Sequence, residues 1–317
     1  MREIGGYFNL ELDYKNDILH ADGVLLNTGR NSLEYVLRSL DKVQKVYLPY
    51  FTCEVILEPL SKLQIKYDFY SINERFELTE DLILAQDEYL IYTNYFGIKD
   101  KYVYQLASIY NKQLIVDNAQ AFYAEHIPDI NTIYSPRKFM GLPDGGIAYA
   151  NGHYNVKERD VSYERCSHLL KRYDIGPAGG YNDFRTNSEK LKGLPICRMS
   201  HLTEALMHSI NYECIKNKRR ENFNFLHRAL KDNNKLSILF EDEFACPMVY
   251  PYFSENSLLK SLLIKEKIFV ATYWPNVLNW CKPTDIEYQL ADRIIAIPID
   301  QRYGEDEMKL ISEKILG

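Results

Sequence analysis

The sequence predicts an α/β protein with a large domain, built on a mostly parallel sheet, and a small α+β C-terminal domain. Three observations support this prediction. Short apolar or aromatic runs alternate with helical patterns from residue 23 to residue 150, which is typical of βαβ units. Polar residues recur where these runs end, and beyond residue 150 longer helical patterns replace the alternation. We expect the large domain to span residues 1–220 and the small domain residues 221–317.

The predicted strands of the large domain are apolar runs over residues 23–27, 45–51, 65–72, 88–97 and 145–151, with two more before Asp117 and Ser135. In open parallel sheets, ligands bind at the carboxyl ends of the strands. We therefore expect a binding site at that edge. The residues at or just beyond these ends are Arg30, Phe51, Asn94, Asp117 and Ser135.

Helical spacing predicts helices after a turn at residues 28–32, over 53–63 with Thr52 as N-cap, and over 101–110, 159–173, 199–226, 257–267 and from Glu305 onward. Residues 174–183 contain three glycines and a proline, which predicts a loop. In the small domain, residues 237–240 and 248–252 are short segments, and residues 268–275 and 294–300 are predicted strands.

Composition indicates a soluble globular protein, with 46% hydrophobic and 26% charged residues. The net charge of −6 argues against nucleic acid or an anionic membrane as partner. The sequence contains no apolar run of 18 residues, and its six cysteines form no CxxC pair. We therefore expect a cytoplasmic protein without a metal site. The basic cluster at residues 216–220 is interpreted as a solvated helix face.

Lys138 and Asp117 form the most informative pair of residues. A lysine beyond one strand and an acid at the end of another suit pyridoxal phosphate (PLP). The lysine would form the Schiff base, and the acid would keep the ring nitrogen protonated. The turn at residues 28–32, together with Ser135, would supply phosphate donors. Simpler explanations stay open: Lys138 as a surface lysine, Asp117 in an Asx turn, and Ser32 as a plain N-cap.

Several segments resemble the DegT/DnrJ/EryC1/StrS family of PLP-dependent sugar aminotransferases, and the resemblance covers residues 22–317. The most specific segments are DNAQA and SPRKFMGLPDGG, with TGRNS, YLPYFTC and IPIDQRY in support. The resemblance implies fold type I with a seven-stranded sheet. It also implies amino transfer, with glutamate as the expected donor, to a keto sugar carried on a nucleotide. A homodimer with shared active sites is implied as well.

By the same resemblance, Lys138 is the Schiff-base lysine and Asp117 is the partner of the pyridinium nitrogen. Gln120 corresponds to the glutamine near the 3-hydroxyl of the ring. The phosphate would be held by three further positions, Arg30, Asn31 and Ser135.

The sequence also departs from the family. Cys53 stands where an aromatic residue usually stacks on the ring, so Tyr50 or Phe51 is expected to substitute for it. Asn94 replaces a histidine. The segment at residues 193–199 lacks the asparagine that reaches the phosphate of the partner subunit, and Asn182 is the expected replacement.

These departures keep two other functions open: a PLP-dependent sugar dehydrase, and a catalytically idle relative with a binding or regulatory role. The dehydrase branch of the family has a histidine at the position of Lys138, which argues against the first. Retention of the lysine, aspartate and glutamine argues against the second. Residues 176–187 are the candidate segment for closing over substrate or reaching the partner. The segment at residues 273–275 is expected to line the substrate entrance, and a core position for Trp274 stays open.

Overall fold

The structure, a computed structural model, describes residue 4 and residues 6–14, 17–236, 240 and 242–317. A seven-stranded sheet organises the large domain. Its strands are β1 (Val24–Leu26), β2 (Lys45–Pro49), β3 (Lys66–Tyr70), β4 (Glu88–Thr93), β5 (Leu114–Asn118), β6 (Asn131–Tyr134) and β7 (Gly146–Tyr149). They lie in the order β1-β7-β6-β5-β4-β2-β3. Among these described strands, only β7 runs antiparallel to its neighbours β1 and β6, and the other pairings are parallel. The predicted seven-stranded, mostly parallel sheet is confirmed.

The central strands are apolar on both faces because both faces are covered. Val116 of β5 packs into one hydrophobic cluster and Ile115 into a second cluster on the opposite face. In β4, Tyr92 and Ile91 divide in the same way. This division follows from the two-residue period of a strand, and it explains the nearly continuous apolar runs in the sequence.

Three helices of the large domain follow the prediction closely: α1 (Gly29–Ser39), α2 (Leu57–Leu63) and α3 (Asp100–Tyr110). Thr28 caps α1, because its Oγ1 accepts a hydrogen bond of 3.1 Å from the backbone N–H of Asn31. The predicted cap at Thr52 is wrong. A short 3₁₀ helix (Glu54–Ile56) precedes α2, and Cys53 occupies its N-cap position without a side-chain hydrogen bond.

The predicted loop at residues 174–183 is wrong, because these residues lie within α4 (Ser167–Lys190). Gly176 has a non-helical conformation, with φ 80°, and Pro177 begins the second helical segment. Proline is well tolerated at such a start because the first turn needs no N–H donor. The two segments fold back on each other: a Cβ on Gly180 would lie 2.9 Å from the carbonyl oxygen of His168. We call α4 the helical hairpin.

The remaining helices are α5 (His201–His208), α6 (Tyr212–Leu230), α7 (Leu259–Lys265), α8 (Val277–Trp280), α9 (Ile286–Arg293) and α10 (Glu305–Leu316). Two antiparallel strands, β8 (Val249–Phe253) and β9 (Ile294–Pro298), form the second sheet. The predicted strand at residues 268–275 is wrong, because only Ala271 forms a bridge there, to Ala296 of β9. Of the predicted segment 237–240, residues 237–239 lie outside the described residues.

Helix α6 spans the predicted domain boundary. Tyr212 at its start packs into the large-domain core, whereas Phe223, Leu226 and Leu230 pack into the core around β8, β9 and α10. This division agrees with a boundary near residue 220, which stays a prediction. None of the helices in the described residues has the length and apolar character needed to cross a membrane.

Candidate functional site

Two adjacent strand ends bring the predicted catalytic residues together. Asp117 lies in β5, opposite Ile133 of the parallel strand β6. Ser135 follows β6 directly and is buried, and a 3₁₀ turn (Pro136–Lys138) then ends on Lys138. The side chain of Lys138 is exposed at the cleft described below. The parallel register therefore places acid and lysine at one edge of the sheet, as the sequence predicts.

The charge of Lys138 acts directly on Asp117. Burial raises the pKa of Asp117, while the positive charge of Lys138 and a hydrogen bond of 2.9 Å from the N–H of Ala119 lower it. Because burial is the largest of these effects, the carboxylate is poorly compensated. A cationic group placed beside Asp117 would relieve this penalty, and a protonated pyridine ring is such a group.

Gln120 presents an unused donor. Its side chain is completely buried, and its Oε1 accepts a hydrogen bond of 2.9 Å from the N–H of Phe96. Among the described residues its Nε2 has no partner. Leaving a buried donor unsatisfied costs about 1–3 kcal/mol, so the arrangement is suited to a ligand that brings an acceptor. The 3-hydroxyl side of PLP is such an acceptor, and the residues present therefore fit this cofactor.

The first turn of α1 offers a place for an anion. A Cβ on Gly29 would lie 3.4 Å from the Oγ of Ser135, so Ser135 lies against this turn. The backbone N–H groups of Gly29 and Arg30 precede the first bond within the helix, which runs from the N–H of Ser32. Free N–H groups and the positive end of the helix dipole both favour a phosphate.

The side chains of Arg30 and Asn31 point elsewhere. Arg30 donates to the carbonyl of Leu191 at 2.9 Å and lies 3.3 Å from a carboxylate oxygen of Glu58. Asn31 donates to Asn27 Oδ1 at 2.8 Å and to the carbonyl of Pro195 at 2.9 Å. Both side chains fasten residues 191–195 to α1. The phosphate role predicted for this turn therefore rests on its backbone.

Phe51 is not available to a cofactor. Its ring is completely buried, stacked on Tyr95 at 5.5 Å and on Phe76 at 6.0 Å, with the edge of Trp274 at 5.1 Å. The prediction that Phe51 stacks on the cofactor is corrected on this ground, because a ring needs an open face to stack on a ligand.

The sequence also singles out Asn182 and Asn94. Asn182 is exposed on the helical hairpin, and its contact with a partner subunit stays a prediction. Asn94 donates to Asp100 Oδ1 at 2.6 Å and to Asn118 Oδ1 at 3.1 Å, while its N–H donates to the carbonyl of Asp117 at 3.0 Å. It therefore fixes the ends of β4 and β5 relative to each other.

A cleft of about 630 Å³ opens beside Lys138, between residues 137–142, the helical hairpin and the small domain. Its lining is rich in positive charge. Among the residues that the structure describes, the only carboxylate in the lining is that of Asp300, which is paired with Arg302 at 2.5 and 2.8 Å. The cleft is therefore suited to an anionic molecule. The basic residues that line it are Arg137, Lys138, Arg172, Arg219 and Arg302.

The sequence pattern missed Arg219, which lies in the basic cluster that was expected to be a solvated face. Arg219 is only 3% exposed. It donates to the carbonyls of Met248 at 2.8 Å and Phe139 at 3.2 Å, and its guanidinium lies over the Phe139 ring at 4.7 Å. It thus ties the segment after Lys138 to the small domain. Buried and exposed arginines look alike in a basic run, so only three-dimensional packing identifies this role.

Tyr273 lines the cleft, as predicted, whereas its neighbour Trp274 is buried in the aromatic cluster. Burial raises the pKa of Tyr273 to about 12, with Arg219 opposing the rise and Cys53 adding to it. Tyr273 therefore stays protonated at neutral pH.

The sheet order and the strand-end site define the fold of type I PLP-dependent transferases. Solved structures with this fold resemble the chain over nearly its whole length. A DegT DnrJ EryC1 StrS aminotransferase from Brucella abortus is 18% identical, with a TM-score of 0.62, covering 93% of this chain and 85% of that one.

Two further solved structures are similar. DesI, solved in the presence of its TDP-sugar product, is 12% identical, with a TM-score of 0.62 and coverage of 92% and 79%. NtdA from Bacillus subtilis, with bound cofactor PMP, is 13% identical, with a TM-score of 0.63 and coverage of 92% and 72%. No protein-family model and no curated protein sequence matches this chain. The fold implied by the sequence resemblance is confirmed.

Proposed function

We propose that this protein is a PLP-dependent aminotransferase that moves an amino group from an amino acid, with glutamate as the expected donor, to a nucleotide-linked keto sugar. The observation that carries the proposal is the triad at the strand ends. The positive charge of Lys138 opposes the rise that burial causes in the pKa of Asp117, and Gln120 keeps a buried donor that has no partner in the described part of the chain. These are the amine, the anion and the donor that the cofactor requires.

The residues of the chain divide the work between them. Bound PLP supplies an electron sink for the bonds at the donor α-carbon. Lys138 Nζ takes the proton from that α-carbon and returns a proton later, acting as general base and then as general acid. Asp117 holds the proton on the ring nitrogen. Arg219 and Gln301 both donate to the carbonyl of Phe139, and so they hold the segment that carries Lys138.

The cleft supports an anionic acceptor. Its cationic lining would attract the diphosphate of a sugar nucleotide, and one structurally similar protein was solved with a TDP-sugar product. On this basis we place the reaction in polysaccharide or glycoconjugate biosynthesis.

The cytoplasm is the proposed location, because all six cysteines are free. Cell fractionation that finds the protein outside the cytoplasm would contradict this placement.

A homodimer is part of the proposal. The helical hairpin exposes several large apolar side chains next to the cleft, including Leu170 (65% exposed), Tyr173 (94%) and Tyr181 (58%). Exposed apolar patches of this kind commonly mark protein–protein contacts. The hairpin of one subunit would cover that of the other and bring Asn182 to the neighbouring site. Sedimentation velocity should therefore show a dimer at micromolar concentration, and a monomer there would exclude this arrangement.

The central experiment compares Lys138→Ala with the wild-type protein and with Lys309→Ala, which removes an exposed lysine from α10. Borohydride reduction with PLP, followed by mass spectrometry, should label Lys138 in the wild type and in the control. Lys138→Ala should lose the label and at least about 10³-fold of the amino-transfer rate.

Product analysis on a panel of keto-sugar nucleotides separates the alternatives. Loss of water without amino transfer would indicate a dehydrase. A parent protein that binds PLP but transfers no amino group, together with a Lys138→Ala protein that binds cofactor and works as well as the parent in its biological role, would indicate an idle relative and would refute the proposal.

A further inference from the structure

Arg137 precedes Lys138 in the 3₁₀ turn and has no acidic partner among the described residues. The contact that its guanidinium makes is a long one, with Nη2 at 3.5 Å from the Oγ of Ser188. Two neighbouring arginines are paired: Arg30 with Glu58, and Arg165 with Asp144 and Asp160.

The charge on Arg137 is costly where it stands. Burial lowers the pKa of its guanidinium, the charge of Arg30 lowers it further, and Asp144 acts in the opposite direction. A guanidinium remains charged at any ordinary pH, so the group is a positive charge that the surroundings do not neutralise. Asp144 cannot neutralise it fully. Arg165 holds its Oδ2 at 2.7 Å, and the hydroxyl of Thr203 donates to its Oδ1 at 2.5 Å.

The position of Arg137 indicates what would neutralise it. Ser135, two residues earlier in the same turn, lies against Gly29 in the first turn of α1. Arg30 belongs to that first turn, and its charge acts on Arg137. A helix N-terminus, a serine hydroxyl and an uncompensated arginine thus converge beside Lys138. All three favour a doubly charged anion, and a guanidinium offers two parallel donors to phosphate oxygens.

We propose that Arg137 binds the phosphate group of the PLP cofactor, from within the same subunit that supplies Lys138. This inference rests on the proposed function, since it needs PLP at Lys138. It assigns Arg137 to the cofactor and not to the acceptor, although its side chain also borders the cleft. The phosphate would be held by Arg137, by Ser135 and by the backbone N–H groups of the first turn of α1.

Comparing PLP with pyridoxal, which lacks the phosphate, tests this assignment. Both aldehydes are titrated into the cofactor-free wild-type protein and into Arg137→Gln and Arg137→Lys, with the absorbance of the lysine adduct as the readout. Arg172→Gln is the matched control, because Arg172 also lines the cleft but lies on the helical hairpin.

Arg137→Gln should raise the Kd for PLP by about 10- to 100-fold, as expected for the loss of a charge-assisted bidentate contact, and leave the Kd for pyridoxal unchanged. Arg137→Lys should recover part of the PLP affinity, because it keeps the charge and loses the second donor. Arg172→Gln should leave the ratio of the two constants at the wild-type value. Unchanged pyridoxal binding in Arg137→Gln would also show that the site is folded.

Two results would overturn this inference and leave the proposed function intact. One is an unchanged ratio of PLP to pyridoxal affinity in Arg137→Gln. The other is an unchanged PLP affinity together with a raised KM for the amino donor or the sugar, which would assign Arg137 to a substrate anion. A wild-type protein that forms no lysine adduct with either aldehyde would instead overturn the proposed function, and the inference with it.

Discussion

The strand-end site beside the cleft and the wall of the cleft are built on different principles. The strand-end site, here called the floor, consists of Asp117, Gln120 and the Ser135–Lys138 turn, which the ends of parallel strands hold in place; of these residues, Arg137 and Lys138 also line the cleft. The wall is the helical hairpin, which presents exposed apolar side chains and reverses at Gly176. The floor gives up stability, because burial of the Asp117 carboxylate is only partly compensated and the Gln120 amide donor has no partner among the described residues. The wall, by contrast, leaves apolar surface in contact with water. A bound ligand would stabilise the floor, and a partner subunit would stabilise the wall.

Asp117→Asn should have the largest effect, because it should remove the catalytic function of the floor. An amide cannot hold a proton on the ring nitrogen, so we expect the amino-transfer rate to fall by about 10³-fold, within the range of lost charge-stabilising groups. Steady-state kinetics with saturating PLP would measure this fall. A variant with a rate near that of the wild type would remove Asp117 from the mechanism.

Asp117→Asn also tests whether the buried acid of the floor lowers the stability of the cofactor-free protein. Because burial raises the pKa of Asp117, the cofactor-free folded protein binds more protons than the unfolded chain between the ordinary carboxyl pKa and the raised value. The stability contributed by Asp117 is thus present at low pH and lost as pH rises through this window. In urea denaturation without PLP, Asp117→Asn should be at least as stable as the wild type at pH 7, with a smaller advantage at pH 4. Lower stability at pH 7 would contradict this account.

Gly146→Ala should have the next largest effect, on folding. A Cβ on Gly146 would lie 2.3 Å from the carbonyl oxygen of Thr28 and 2.4 Å from the Oγ of Ser32, under the first turn of α1. Backbone must move to admit it, so we expect a loss of about 3 kcal/mol in the free energy of unfolding and weaker PLP binding. Gly141→Ala is the control, because its Cβ would meet only Leu169 at 3.8 Å. Equal denaturation midpoints for the two variants would show that α1 is not seated this tightly.

Tyr173→Ser should have the smallest effect on folding, and it tests whether the apolar surface of the wall contacts a partner subunit. Its side chain is 94% exposed, so the stability of the isolated subunit should change by less than about 0.5 kcal/mol. If the hairpin forms the dimer contact, the dimer dissociation constant should rise about tenfold. Tyr104→Ser on α3, where the side chain is 52% exposed, is the control. Equal dissociation constants for the two variants would place the contact elsewhere.

The floor could be predicted from the sequence because strand periodicity and strand ends are local signals. The spacing from Asp117 to Gln120, and the turn that ends on Lys138, place these residues at the sheet edge without knowledge of the packing. The hairpin could not be predicted in this way, since Gly176 and Pro177 suggest a loop when their neighbours are unknown.

Phe51 and Arg219 were misjudged for a related reason. Whether an aromatic ring or a guanidinium faces a ligand or the core depends on residues far away in the chain. Phe51 is covered by Trp274, more than 200 residues later, and Arg219 is held by the carbonyl of Phe139.

The antiparallel strand β7 has a consequence for synthesis of the chain. In the described residues, the strand that pairs with β1 is β7, and Val24 lies opposite Ala148. The turn after β1 is completed there as well, because Gly145 donates to the carbonyl of Asn27 at 2.8 Å. A ribosome that adds 5–20 residues per second needs roughly 6–25 s to make the intervening stretch of about 120 residues. During that interval β1 of the nascent chain lacks its native partner strand β7. A chaperone that shields apolar segments would have the most time to bind the chain at β1.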